Sequence, residues 1–154
     1  MSALDHVDIE ILNIFQWEGR ISNADLARKI KLSPPAAHAR TRRLEENGYI
    51  RQYVGLLDHE KAGFDMTCFV MVSLSKHKTQ QVEDFRKAIQ EIPEVLECHH
   101  ITGEYDYLLK AVIRNRKDLE YFVIERLTPI PGVARIHTSL VISEVKATTE
   151  LPLT

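Results

Sequence analysis

The chain has 154 residues, 44% of them hydrophobic and 27% charged, with 6 Gly, 6 Pro and 2 Cys. This composition excludes collagen-like, low-complexity and largely disordered chains. The formal net charge of -2 by itself argues against a nucleic-acid partner, yet between positions 20 and 43 seven basic residues stand beside the single acid Asp25, a local charge of +6. No apolar run approaches the roughly 18 residues that would span a bilayer. Cys68 and Cys98 are isolated, and Met1-Ser2-Ala3-Leu4-Asp5 lacks a basic start followed by an apolar run. We therefore expect a cytoplasmic protein without a membrane partner.

The predicted elements begin with a helix in which Leu4, Val7, Ile11, Leu12 and Phe15 recur at three- and four-residue steps, with Asp8, Glu10, Asn13 and Gln16 facing away and Gly19 as its stop. Ser22 caps a short second helix reaching about Lys31, with Asp25 three residues on as in a capping box. Ser33 is the next cap, and Pro34 suits the first turn, where a missing amide costs nothing. The third helix runs from Pro34 to Asn47, and Gly48 is its left-handed terminator. Two helices joined by the tight Lys31-Leu32-Ser33 turn read as a helix-turn-helix.

From Tyr49 to Leu57 the pattern is extended, one or two strands linking two halves. Beyond lies an internal repeat. Ile92-Pro93-Glu94-Val95-Leu96-Glu97-Cys98-His99 and Ile130-Pro131-Gly132-Val133-Ala134-Arg135-Ile136-His137 share Ile, Pro, Val and His. Each copy follows an amphipathic helix (Thr79 to Glu91, Lys117 to Leu127), and each helix follows a β-rich run (Met66 to Ser75, Tyr105 to Ile113). Strand, helix, strand twice over is the ferredoxin-like plan. Along the first strand Cys68, Val70, Val72 and Leu74 should lie under the helices. Thr67, Phe69, Met71 and Ser73 face the other way, a face apolar enough to call for a second subunit. The fold class is therefore α+β, with a helix-turn-helix domain over 1–50, a linker strand and hinge over 51–64, and a ferredoxin-like βαββαβ domain over 65–154.

With Ala37, Thr41 and Leu44 turned inward, the third helix presents Pro35, Ala36, His38, Ala39 and Arg42 near its start, with Ser33 ahead of it and Arg40 and Arg43 on its flanks. Such a helix enters the major groove with its N-terminal residues at base edges, and small residues there let the backbones approach closely. Arg40, Arg43, Arg28 and Lys31 would contact phosphates, which positions the protein without reading sequence. The competing reading is a helical bundle whose basic face is merely solvated.

Several runs carry a resemblance: Leu4-Asp5-x-x-Asp8-x-x-Ile11-Leu12, Arg20-Ile21-Ser22-Asn23-Ala24-Asp25-Leu26-Ala27, Leu32-Ser33, Arg43-Leu44-Glu45-Glu46-Asn47-Gly48-Tyr49-Ile50 and Thr102-Gly103-Glu104-Tyr105-Asp106-Tyr107-Leu108-Leu109. Together they closely resemble the Lrp/AsnC family of prokaryotic transcriptional regulators, over nearly the whole chain. The resemblance implies a winged helix-turn-helix, a linking strand, and a ligand-sensing domain that dimerises through its sheets and often assembles into octamers. Pro35-Ala36-Ala37 and Thr41 depart from the bulkier aliphatics common in such recognition helices.

Within Thr102-Gly103-Glu104-Tyr105-Asp106, Gly103 allows a turn in which successive amides converge on a carboxylate, and Asp106 offers an acceptor to an ammonium. A free amino acid presents both groups, although the same residues also make an ordinary hairpin turn. The resemblance implies that this loop binds an amino-acid effector at a contact between dimers, with Thr138 and Ser139 from the last strand. His100 is expected to line the same pocket. Cys98-His99-His100 with His137 could suggest a metal, but neighbouring strand residues point to opposite faces, so core or interface histidines are the default. No metal, cofactor or catalytic residue is expected. The resulting function is a DNA-binding transcriptional regulator answering to a small effector. Two rivals are an enzyme of the sirohaem decarboxylase type on the same scaffold and an effector-independent DNA-organising protein.

Overall fold

The computed structural model describes residues 4–75 and 79–154; residues 1–3, part of the opening stretch expected to carry no export signal, lie outside it. The chain divides into two compact units. One extends to Leu56 and takes in Lys146–Thr154, and the other is Leu57–Val145.

In the helical unit α1 (His6–Trp17), α2 (Asn23–Lys29) and α3 (Pro34–Glu46) close on Ile11, Leu12, Leu26, Ala27, Ile30, Ala37 and Leu44. Each start is capped by a side-chain oxygen that accepts an orphan amide. Asp5 and Asp8 form a reciprocal capping box on α1, Ser22 accepts from the Asp25 amide, and Ser33 accepts from the Ala36 amide. The turn between α2 and α3 puts Lys31 at φ 54°, where the amides of Lys31 and Leu32 close on the carbonyls of Arg28 and Ala27. Gly48, at φ 75°, ends α3 in the same way, with Gly48 and Tyr49 donating to Glu45 and Leu44.

Two expectations are corrected in this unit. Residues 49–57 form no strand, because no edge among the described residues pairs with them; instead the Tyr53 hydroxyl donates to Glu45 at 2.8 Å and its ring meets Phe15 edge-on. The final residues, assigned by sequence to the sheet domain, belong with the helices. The Gln16 side-chain amide donates to the Leu151 carbonyl at 3.1 Å and accepts from its N–H at 2.5 Å, while Leu153 packs against the helical core. An amide side chain offers both a donor and an acceptor, so it pairs with one backbone residue in both directions.

The second unit runs β1 (Met66–Leu74), α4 (Thr79–Gln90), β2 (Val95–His100), β3 (Tyr107–Ile113), α5 (Arg116–Tyr121) and β4 (Val133–Leu140), with an antiparallel sheet ordered β2-β3-β1-β4. This is the βαββαβ plan read from the repeat. Cys68, Val70, Val72 and Leu74 are all buried, joined by Tyr107, Leu109, Ala111 and Ile113 of β3 and by Phe85, Ile89, Phe122 and Leu127 from the helical segments. Burial pushes the Cys68 thiol up to about 11. After α5 the helix widens into a π-helical stretch, Phe122–Leu127, whose last turn closes when both the amide and the hydroxyl of Thr128 donate to the Val123 carbonyl.

The positive φ of Gly48 makes a direct test. Gly48→Ala should destabilise the helical unit by about 1–2 kcal/mol, because a Cβ is disfavoured in the left-handed region. Gly19→Ala, at a position without a positive φ, should stay within about 0.5 kcal/mol of the parent in the same thermal melts.

Candidate nucleic-acid interface and sensor loop

The start of α3 is presented as its period requires. Ser33, Pro35, His38, Ala39 and Arg42 are exposed and Ala36 is half-buried, while Ala37 and Leu44 are fully buried on the opposite stripe. Arg42 pairs with Glu46, one turn on along its own helix, at 2.7 Å, and its side chain is 69% exposed. An exposed i,i+4 pair of this kind contributes only a few tenths of a kcal/mol and leaves the guanidinium available. Pro34 at the helix start and the small side chains of Ala36 and Ala39 keep this surface low. Arg28 pairs with Asp25 and Lys29 with Glu18, both at the surface.

Arg40 and Arg43 lie elsewhere. Arg40 Nη1 donates to Asp5 Oδ2 at 2.6 Å and to Asp8 Oδ1 at 2.9 Å, and Arg43 Nη2 donates to Asp8 Oδ2 at 2.6 Å. Asp8, expected to face away from the core, is 1% exposed. The signal was present in the spacing: Asp8 precedes Ile11 and Leu12 by three and four residues and so shares their face. A buried carboxylate needs charged partners, and these two arginines supply them. The Arg40 guanidinium and the Asp8 amide hold the Asp5 carboxyl down at about 2.

The candidate sensor loop, residues 101–106, joins β2 to β3. Gly103 takes φ 121°, with nothing among the described residues within 4 Å of the position a Cβ would occupy. Ile101 donates to the Asp106 carbonyl, and the Asp106 amide donates to the Val72 carbonyl. The Asp106 carboxylate, expected to receive an ammonium, accepts the Leu74 N–H at 2.7 Å through Oδ2 and ties the loop to the end of β1. Glu104 pairs with Arg135 at 2.7 Å, and Arg135 lies over the half-buried Tyr105 ring at 4.7 Å. Thr102 is exposed. Arg135 was missed from sequence because it becomes a neighbour of the loop only through the β1–β4 register. His100 stacks on Tyr107, ring centres 4.9 Å apart.

Register separates other expected partners. Thr138 sits opposite Val70, on the helix-covered face, whereas Ser139 sits opposite Phe69, on the uncovered face. The two therefore point to opposite sides of the sheet. On the uncovered face His99, Leu108, Met71 and His137 form a row across the four strands, beside Phe69 and the pair Glu97–Lys110. His99 also binds Glu97 at 3.0 Å. Cys98 and His100 share the opposite face with Leu109 and Tyr107. Among the described residues no three His, Cys, Asp or Glu side chains converge as metal ligands would.

A helix-turn-helix with an exposed, small-residue start to its second helix, joined to a βαββαβ sheet, defines a DNA-binding regulator with an appended sensor domain. Residues 4–51 match the family model described as winged helix-turn-helix DNA-binding, and residues 67–151 match that of the Lrp/AsnC ligand binding domain. The leucine-responsive regulatory protein of Haemophilus influenzae is 39% identical over 151 residues, 98% of this chain and 91% of that protein. The transcriptional regulator AzlB of Bacillus subtilis is 35% identical over 150 residues, 97% and 96% of the two chains. A Neisseria meningitidis transcriptional regulator solved as a complex with L-Met superposes with a TM-score of 0.95 at 38% identity, over 98% of this chain and 97% of that one. The chain belongs to the Lrp/AsnC family of transcriptional regulators. No described helix is long and apolar enough to cross a membrane.

Asp106→Ala should cost about 1–3 kcal/mol, because it orphans a part-buried backbone amide. Thermal melts read the total, and faster amide exchange at Leu74 locates it. Unchanged exchange there would show that the carboxylate does not hold the β1 end.

Proposed function

We propose that this chain is a sequence-specific transcriptional regulator whose α3 reads the major groove and whose sheet unit answers to an amino acid. The observation that carries the first half is the exposed opening face of α3, where His38, Ala39 and Arg42 stand clear of the core. Support for the second half is the L-Met complex of a relative that matches along nearly the whole length. The proposed contacts to DNA are Ser33, Pro35, Ala36, His38, Ala39 and Arg42, with Arg28 and Lys31 for phosphates. The proposed effector contacts are Thr102, Gly103, Glu104, Tyr105 and Ser139. His100, Asp106 and Thr138 lie behind or beside them.

A homodimer through the uncovered sheet face accounts for the exposed Phe69 in the middle of β1, and further assembly toward an octamer would bring sensor loops together. The effector then acts by binding one assembly more tightly than another, which changes the spacing of helix-turn-helix pairs along DNA. This is regulation by binding, without chemistry on the effector, in a bacterial cytoplasm.

Two experiments test this reading. Arg42→Ala should lose about 1–3 kcal/mol of discrimination between a selected operator and random DNA if Arg42 reads a base. Equal loss on both would make it a phosphate contact. In a melting screen of the common L-amino acids, at least one should raise the midpoint of the wild type and change its operator affinity. A screen in which none altered either would favour a DNA-organising protein without an effector.

A further inference from the structure

α3 carries three arginines, and the structure separates them into two kinds. Arg42 leaves its guanidinium on the exposed side. Arg40 and Arg43, one turn apart, both turn toward α1 and divide the two oxygens of the Asp8 carboxylate between them, Arg40 donating to Asp5 as well. The Asp8 side chain is 2% exposed, whereas its partners Arg40 and Arg43 are 30% and 48% exposed. Leaving a charge that deep without a partner is far more costly than breaking a surface ion pair. Phosphates therefore compete poorly for these two guanidiniums. Two contacts on successive turns also fix α3 in two senses, along its axis and around it. The apolar contact of Ala37 and Leu44 alone would let the helix slide or roll.

We propose that Asp8 is a positioning and specificity-determining residue for DNA binding: it fixes the rotation of α3 on α1 and withholds Arg40 and Arg43 from the phosphates. Each cation that reaches a phosphate strengthens binding to every sequence alike. Two cations held back lower that common background while the reading face of α3 stays aimed. Discrimination depends on the ratio of specific to non-specific affinity, so it gains from both effects.

The test uses the full-length protein and a fluorescent random-sequence duplex, with affinity followed from about 50 to 200 mM KCl, where each phosphate contact adds about 0.9 to the slope of log K against log salt. Arg43→Gln should leave the wild-type slope unchanged. Asp8→Asn should bind the random duplex more tightly at low salt and steepen the slope by about 0.9, for Arg43, because Asp5 still holds Arg40 at 2.6 Å; its loss of affinity over that salt range is then about 3–4-fold greater. Asp8→Asn with Arg43→Gln should return to the wild-type slope, because Asp5 still holds Arg40, and simple loss of structure would not do that.

On an operator selected with the wild type, Asp8→Asn should show a reduced ratio to random DNA. A slope lowered by about 0.9 in Arg43→Gln would place that arginine on a phosphate and overturn the proposal. So would equal weakening of Asp8→Asn on both duplexes. If Asp8→Asn does not fold, Arg43→Gln decides alone, because Asp8 keeps Arg40. The inference rests on the DNA-binding role proposed above: a wild type that bound no duplex would remove both, whereas a lowered Arg43→Gln slope removes only the clamp.

Discussion

The carboxylate of Asp8 is the interaction on which the helical half depends. It closes the capping box of α1 through the Asp5 amide and receives two arginines from α3, so the start of one helix and the middle of another are fixed to the same two oxygens. The apolar core beneath is small, seven buried residues among those described, and apolar packing is non-directional. The directional component comes from the ion cluster, which selects the face of α3 that looks outward. That face carries the proposed contacts with DNA.

The sheet half follows from a different constraint, the two-residue period of β1. One set of side chains, Cys68, Val70, Val72 and Leu74, packs under the helices, and the other set, with the exposed Phe69 and the half-buried Met71, lies on the opposite face. The same alternation places Arg135, His137 and Ser139 on the uncovered face and Thr138 on the covered one. The candidate sensor loop is fastened to the end of β1 through Asp106 and to β4 through the pair Glu104–Arg135. An effector that displaced Arg135 from Glu104 would therefore act directly on the edge of the uncovered face.

Local signals were the most legible part of the sequence. Ser22, Ser33 and Gly48 cap and stop helices through bonds to residues within a few positions, and β1 shows its two faces in its own alternation. The features that escaped depend on distant partners. Asp8 reads as an outward acid until Arg40 and Arg43, 32 and 35 residues later, are brought to it. Residues 49–57 carry a strand-like pattern but pair with no edge among the described residues. The last nine residues have no periodicity that would assign them to the helices; their place rests on the amide of Gln16 and on Leu153. At the sensor loop the turn and its glycine were visible, whereas the engagement of Asp106 by Leu74 needed the register.

The central claim is that a sensor domain governs how α3 discriminates one DNA sequence from others. The most direct measurement is the affinity of the wild type for an operator recovered by selection and for a random duplex, at one salt concentration, with and without the amino acid that raises its melting midpoint. The account predicts a specific-to-random ratio of about 1,000 or more, changed severalfold by that amino acid. Equal affinity for the two duplexes, or a ratio indifferent to every amino acid, would contradict it.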